Sequence, residues 1–382
     1  MKKVMLGKRR AMTLLLASML FILFLLGIVL INDFDKAEIV GTYGRDFENA
    51  VVTRVIKDNL AEDGQRYGSQ EIEIEITKGD HEGETMEATS PSGTLFGADC
   101  KEGMRVIVIL SESGDTAMAT VYSQDRTLAI YGYVLLFFLM LGLIGGVKGV
   151  KAAISLIFAL VCIFAVMLPL MYRGVSPLLS AVLVSMFTTV FTIFVVSGVS
   201  RKSVAAILGT VFGVIIAAVS AVMFGIVAGI DGYNVSDIES LLYIAQYSKV
   251  NVGELLFAGI IISALGAVMD VAVDIASAMN EVKRHKPDIT RHALFHAGMN
   301  VGRDTMGTMS NTLILAFVGG SLSTLVLNYA YDLPYMQIIN SYNTGIEIMQ
   351  GIAGSMGIIA AVPFVALIGS IFFTQKPGKE NE

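Results

Sequence analysis

Asp270 and Asp274 stand four residues apart in GAVMDVAVDIASAMNEVKRHK, residues 266 to 286, inside a run that otherwise reads as a membrane span. On a helix this spacing puts both carboxylates on one face, which Ser277 or Ala278 and then Glu281 continue. Counted back from Lys283, Asp274 lies about 14 Å and Asp270 about 20 Å along the helix, toward the middle of an apolar core about 30 Å thick. Each Asp near a helix centre costs about 2.5 to 3.5 kcal/mol on insertion, and each Leu, Ile, Val or Phe offsets about 0.3 to 0.6. The segment can therefore insert, but its carboxylates need a partner or water.

A partner is expected in LFHAGMNVGRDTMGTMSNTLILAF, residues 294 to 317. There Asn300, Asp304, Thr308 and Asn311 follow one helical stripe with Arg303 beside it, while Gly298, Gly302 and Gly307 lighten the same stretch. Arg303 is the one base near enough to neutralise a carboxylate at that depth, because Arg291 and His292 belong to the preceding loop. A buried cluster of Asp270, Asp274, Asn300, Arg303, Asp304 and Asn311 is expected. Two readings of it stand open. It fixes how two helices pack, or its three carboxylates against one Arg leave a site for a proton or a monovalent cation.

Other chemistry is thinner. His285, His292 and His296 sit around a basic loop, where facing anionic lipid is favoured over sharing a metal, so no metal site is expected. Glu347 and Gln350 open the last apolar run, and Pro363 should kink or break it. Nothing resembles a nucleotide-binding loop, a nucleophile elbow or a zinc-protease helix. Ser310 with His296 is the faint exception, and no enzyme is expected.

The elements that must carry these residues are legible from hydropathy. Of 382 residues, 54% are apolar and 16% charged, the mean hydropathy is +0.68, and the apolar residues fall in blocks of about 20. The expectation is a mainly α, polytopic helical bundle of about eight spans: an N-terminal anchor, then about 129–147, 152–171, 177–198, 204–229, 254–279, 308–330 and 346–373. Residues 1–31 read as an uncleaved anchor, lacking a small-x-small pattern before Asn32. Lys and Arg gather in alternate loops, which predicts a bacterial cytoplasmic-membrane protein with both termini cytoplasmic and residues 32–126 extracytoplasmic. The multi-spanning domain would cover 127–375 and a cytoplasmic tail 376–382. Cys100 and Cys162 are too separated in kind of segment to pair.

The segment 32–126 alternates instead. EIVGTY, NAVVTRVI, EIEIEIT, GETMEATS, MRVIVIL and TAMATVY are strand candidates between turns of Gly, Asp, Asn and Ser, predicting a small β-rich, OB-like barrel. It lacks a basic groove with stacking aromatics, so no nucleic-acid partner is expected. Residues 231–252 read as an amphipathic helix at the bilayer surface. Gly209 with Gly213 and Gly225 with Gly229 read as close-packing pairs. GVKGVKAAISL and GVSRKSVAAIL resemble one another, each leading from a turn into a span.

GAVMDVAVDIASAMNEV followed by LFHAGMNVGRDTMGTMSNTLILAFVGGSL resembles the signature of the YibE/F family of bacterial multi-spanning membrane proteins. The resemblance extends from the anchor to the last span, external segment included, and marks the same positions: Asp270, Asp274, Asn300, Arg303, Asp304 and Asn311. It implies a location in the bacterial cytoplasmic membrane, and a permease role has been suspected for the family; no substrate is implied. The expected function is a transporter or permease, coupled to protons or a cation through the cluster. The alternative is a non-transporting envelope assembly or signalling protein whose external domain binds a partner. The lipid bilayer is the expected surrounding, and a second copy or another membrane protein the candidate partner.

Overall fold

The computed structural model describes residues 22–36, 45–62, 64, 66–91, 97–113, 116–235 and 237–375, with 112, 113, 116 and 117 described by their backbone. Residues 1–21 of the expected anchor, the strand candidate EIVGTY and the tail 376–382 lie outside the described residues. By its contacts the chain divides into two compact units, Glu38–Leu143 and Met1–Ala37 with Ile144–Glu382.

Among its described residues the first unit holds five strands, β1 (Arg45–Lys57), β2 (Gln70–Lys78), β3 (Thr85–Ser90), β4 (Arg105–Ser113) and β5 (Thr116–Gln124). They close into a barrel in the order β1-β2-β3-β5-β4. All pairings are antiparallel except β3 with β5. The alternation in EIEIEI explains β2, since Ile72, Ile74 and Ile76 are buried in the barrel core while Glu71, Glu73 and Glu75 point outward. Arg66 ties the β1–β2 connection, its guanidinium lying 2.5 Å from both Asp58 and Asp99. Glu48 is buried, and its Oε1 accepts from the Asp80 backbone N–H at 2.9 Å. Gly79 permits this hairpin: its φ is +137°, and a Cβ there would collide with the Glu48 side chain. Cys100 and Cys162 are both free and buried.

The helices begin with α1 (Ile22–Asn32). There follow α2 (Thr127–Tyr172), α3 (Pro177–Ser197) and α4 (Arg201–Ala228). Next come α5 (Ile238–Tyr247), α6 (Leu255–His285), α7 (Arg291–Gly320) and α8 (Leu322–Ala330). The series ends with α9 (Tyr335–Ile339) and α10 (Tyr342–Thr374). Among the described residues five helices, α2, α3, α4, α6 and α10, are long and apolar enough to cross a membrane, and α7 with α8, bent by 59°, makes six if the pair is one span. The expected runs 129–147 and 152–171 fall on the single α2, whose 46 residues would reach about 69 Å as an unbroken helix. It is interrupted at Gly146, where φ is 53° and ψ −136°, beside the boundary between the units. Gly198, which opens the sequence resembling that around Gly146, also has a positive φ, 74°.

The helical core is built on α4, α6 and α10, where glycine lets backbones meet. A Cβ on Gly213 would lie 2.8 Å from the Gly357 carbonyl and 2.6 Å from Val268 Cγ1, and one on Gly357 would lie 2.7 Å from the Gly213 carbonyl. Of the two expected pairs, Gly209 with Gly213 serves this contact, whereas Gly229 ends α4 in the left-handed region. The end of α1 is tied to α2: Arg173 donates to the Leu30 carbonyl at 2.9 Å, and the Asn32 amide donates to the Ala165 carbonyl at 2.9 Å. That carbonyl lies in a π-helical turn, Ile163–Met167, a geometry that frees backbone acceptors. The expected surface helix is α5, which has no buried residue. Pro363 does not break α10, which runs continuously through it with the proline on the exposed side.

Candidate functional site

Asp270 and Asp274 lie on α6, whose opposite side, Val268, Val271, Ala272, Ile275 and Ala276, is fully buried against its neighbours. The two carboxylates are exposed on the flank of the protomer. Gly259, Ser263 and Gly266 continue the same line on one side of them and Glu281 on the other, all exposed. The spacing of three or four residues makes this one stripe along the helix. A Cβ added at Gly259 or Gly266 meets nothing within 4 Å, so neither glycine serves packing inside the protomer.

The neighbouring α7 is held by its own glycines. A Cβ on Gly302 would lie 3.1 Å from Ile275 Cδ1 and against Val362, and one on Gly298 would lie 2.5 Å from Met279 Sδ and 3.1 Å from Ala366. This register makes Arg303 level with Asp274. Because α6 and α7 are consecutive, antiparallel helices, the residue before the contact on one and the residue after it on the other turn to opposite flanks. Asp274 and Arg303 are those two residues.

The expected buried cluster is therefore corrected in its burial and its pairing. Asp270, Asp274, Asn300, Arg303, Asp304 and Asn311 are all exposed in the protomer, and none has a hydrogen bond or ion pair among the described residues. The structure does bring the two helices together, so that the carboxylate stripe of α6 and the polar stripe of α7 lie on adjoining helices at one depth. Between them, the threonines of α7 are satisfied locally, Thr305 donating to the Val301 carbonyl and Thr312 to that of Thr308, each at 2.9 Å. Ser310 is different, since its buried hydroxyl has no hydrogen-bond partner among the described residues.

The extension of the stripe through Gly259, Ser263 and Gly266 was not anticipated. Its signal, small residues at the spacing of the two carboxylates, was present in the sequence. Elsewhere, His292 and His296 approach with Nε2 atoms 3.1 Å apart, but no group of three metal-ligating side chains forms among the described residues. Ser310 and His296 share α7 and are about 21 Å apart along it. Glu281 at the stripe's end is held by Arg284 at 2.7 Å and His285 at 3.0 Å.

A family model described as YibE/F-like protein matches residues 133–375. The chain belongs to the YibE/F-like family. The match contains α6 and α7 whole, and with them every residue of the two stripes. It begins after β5, so the barrel of this YibE/F-like chain lies outside the matched region. No curated protein and no solved structure matches it.

Proposed function

We propose that this YibE/F-like chain is a permease of the bacterial cytoplasmic membrane, coupled to protons or a monovalent cation through Asp270 and Asp274. The observation that carries the reading is the polar faces of α6 and α7: Asp270 and Asp274 exposed on α6, and Arg303 and Asp304 exposed on α7, on helices whose surroundings are apolar. Lipid is an untenable neighbour for such a face, which must meet water or protein. An excess of acid over base, with no ion pair among the described residues, favours water and an exchangeable cation over a static seal.

The same reading takes the chain as crossing eight times, with α2 counted as two crossings at Gly146 and the anchor as one. Both termini are cytoplasmic by the distribution of Lys and Arg, and residues 32–126 are extracytoplasmic. The barrel is OB-like: its strand order and the parallel β3–β5 closure are those of a five-stranded Greek-key barrel. Glu71, Glu73 and Glu75 on its outer face speak against nucleic acid as its partner.

The test is purified wild type beside Asp274→Asn, with unfolding followed as sodium, potassium and pH are varied at constant ionic strength. An ion present at 100 times its dissociation constant stabilises by about 2.7 kcal/mol. The wild type should respond to one cation or to protonation and the variant should not. A variant that is merely less stable, in a protein indifferent to every cation and to pH, would reduce the flank to packing.

A second reading, an assembly or signalling protein, draws on the barrel's exposed Phe47, which meets Tyr122 edge-on at 5.6 Å. Deleting residues 38–122 separates the two: an assembly protein loses all activity, and a permease core keeps its cation response.

A further inference from the structure

A cavity of about 590 Å³ lies in the angle where α8 bends away from α7, closed on its other side by the first turns of α10. Its volume falls in the range of about 300 to 1,000 Å³ usual for small-molecule sites. The bend is set at Ser321, whose buried hydroxyl donates to the Phe317 carbonyl at 2.9 Å. The walls are mainly apolar, with Phe317 and Leu325 among them, and the polar residues of the lining include Thr324, Asn328, Glu347 and Gln350. None of the four has a side-chain hydrogen bond or ion pair among the described residues. Glu347 is the one ionisable group in the lining.

We propose that this cavity binds a small organic cation, an ammonium group against Glu347 with its apolar body along Phe317 and Leu325. The charge inventory decides the sign. A lone carboxylate without a basic neighbour repels anions, and a neutral ligand would leave it desolvated and unpaired. The size and the apolar walls decide the class, because a bare metal ion takes six or more oxygen ligands in a far smaller space. Phe317 adds a face on which an ammonium can rest. The site shares no residue with the polar stripes of α6 and α7, so the inference stands independently of the permease reading.

Binding of radiolabelled benzylammonium to the detergent-purified full chain tests it, with benzyl alcohol and benzoate as competitors. The wild type should bind saturably, neither competitor should displace the probe, and Glu347→Gln should weaken binding at least tenfold. Thr324→Phe, which fills the cavity from its other wall and leaves the carboxylate in place, should also abolish binding. Asp274→Asn should bind as the wild type does, which separates this site from the coupling flank. Absence of saturable binding, equal competition by benzyl alcohol, or full affinity in either cavity variant would overturn the proposal.

Discussion

Arg66 shows most directly how a single side chain governs local stability outside the helical unit. Its guanidinium lies between Asp58 and Asp99 and, chiefly by donating to Asp58, holds that carboxyl below its ordinary value of 3.8. A carboxyl lowered on folding adds stability above its unfolded value and loses it as the pH falls through the folded one. The barrel's calorimetric transition in the full chain should therefore fall as the pH drops below about 4. Arg66→Gln should lower it at neutral pH and flatten that acid limb; an unchanged limb would contradict the assignment. Among the candidate site residues, type and spacing were legible and orientation was not. Hydropathy reports that Asp274 and Arg303 share a depth, but whether they share a flank depends on which residues two antiparallel helices use for contact. Gly302 against Ile275 settles that, and only the packed pair reveals it.

At the scale of elements, glycine does opposite work on the two sides of the core. On α4, Gly213 admits the α10 backbone, so Gly213→Ala must displace Val268 or Gly357; overpacking of this kind costs about 1 to 3 kcal/mol. On α6, Gly259 faces open space, so Gly259→Ala should leave stability unchanged or raise it slightly through helix propensity. Thermal unfolding of the two variants side by side checks both, and equal losses would contradict the packing described. The barrel strands within the described residues followed from alternation, because one face of each must be apolar. The joints between helices were harder to read. Gly146 interrupts α2 without a proline, the bend between α7 and α8 occurs at a serine, and Pro363 leaves α10 intact. Each outcome is a matter of local backbone geometry that a hydropathy window does not contain.

For the whole molecule, the family match and the long apolar helices agree on a membrane-embedded helical unit, while the barrel lies outside the match. The central claim is that the carboxylate flank of α6 meets water within the membrane. Single cysteines at Ser263, Gly266 and Ser277 of the stripe, in a chain whose Cys100 and Cys162 are replaced by alanine, test it in intact membranes against a water-soluble thiol reagent. Val219, an exposed apolar residue of α4, supplies the control position. The account predicts that the stripe cysteines are modified at least tenfold faster than the control, and that added coupling cation slows them. Stripe cysteines as inert as the one at position 219 would mean a flank sealed by lipid or by protein, and would contradict the permease reading.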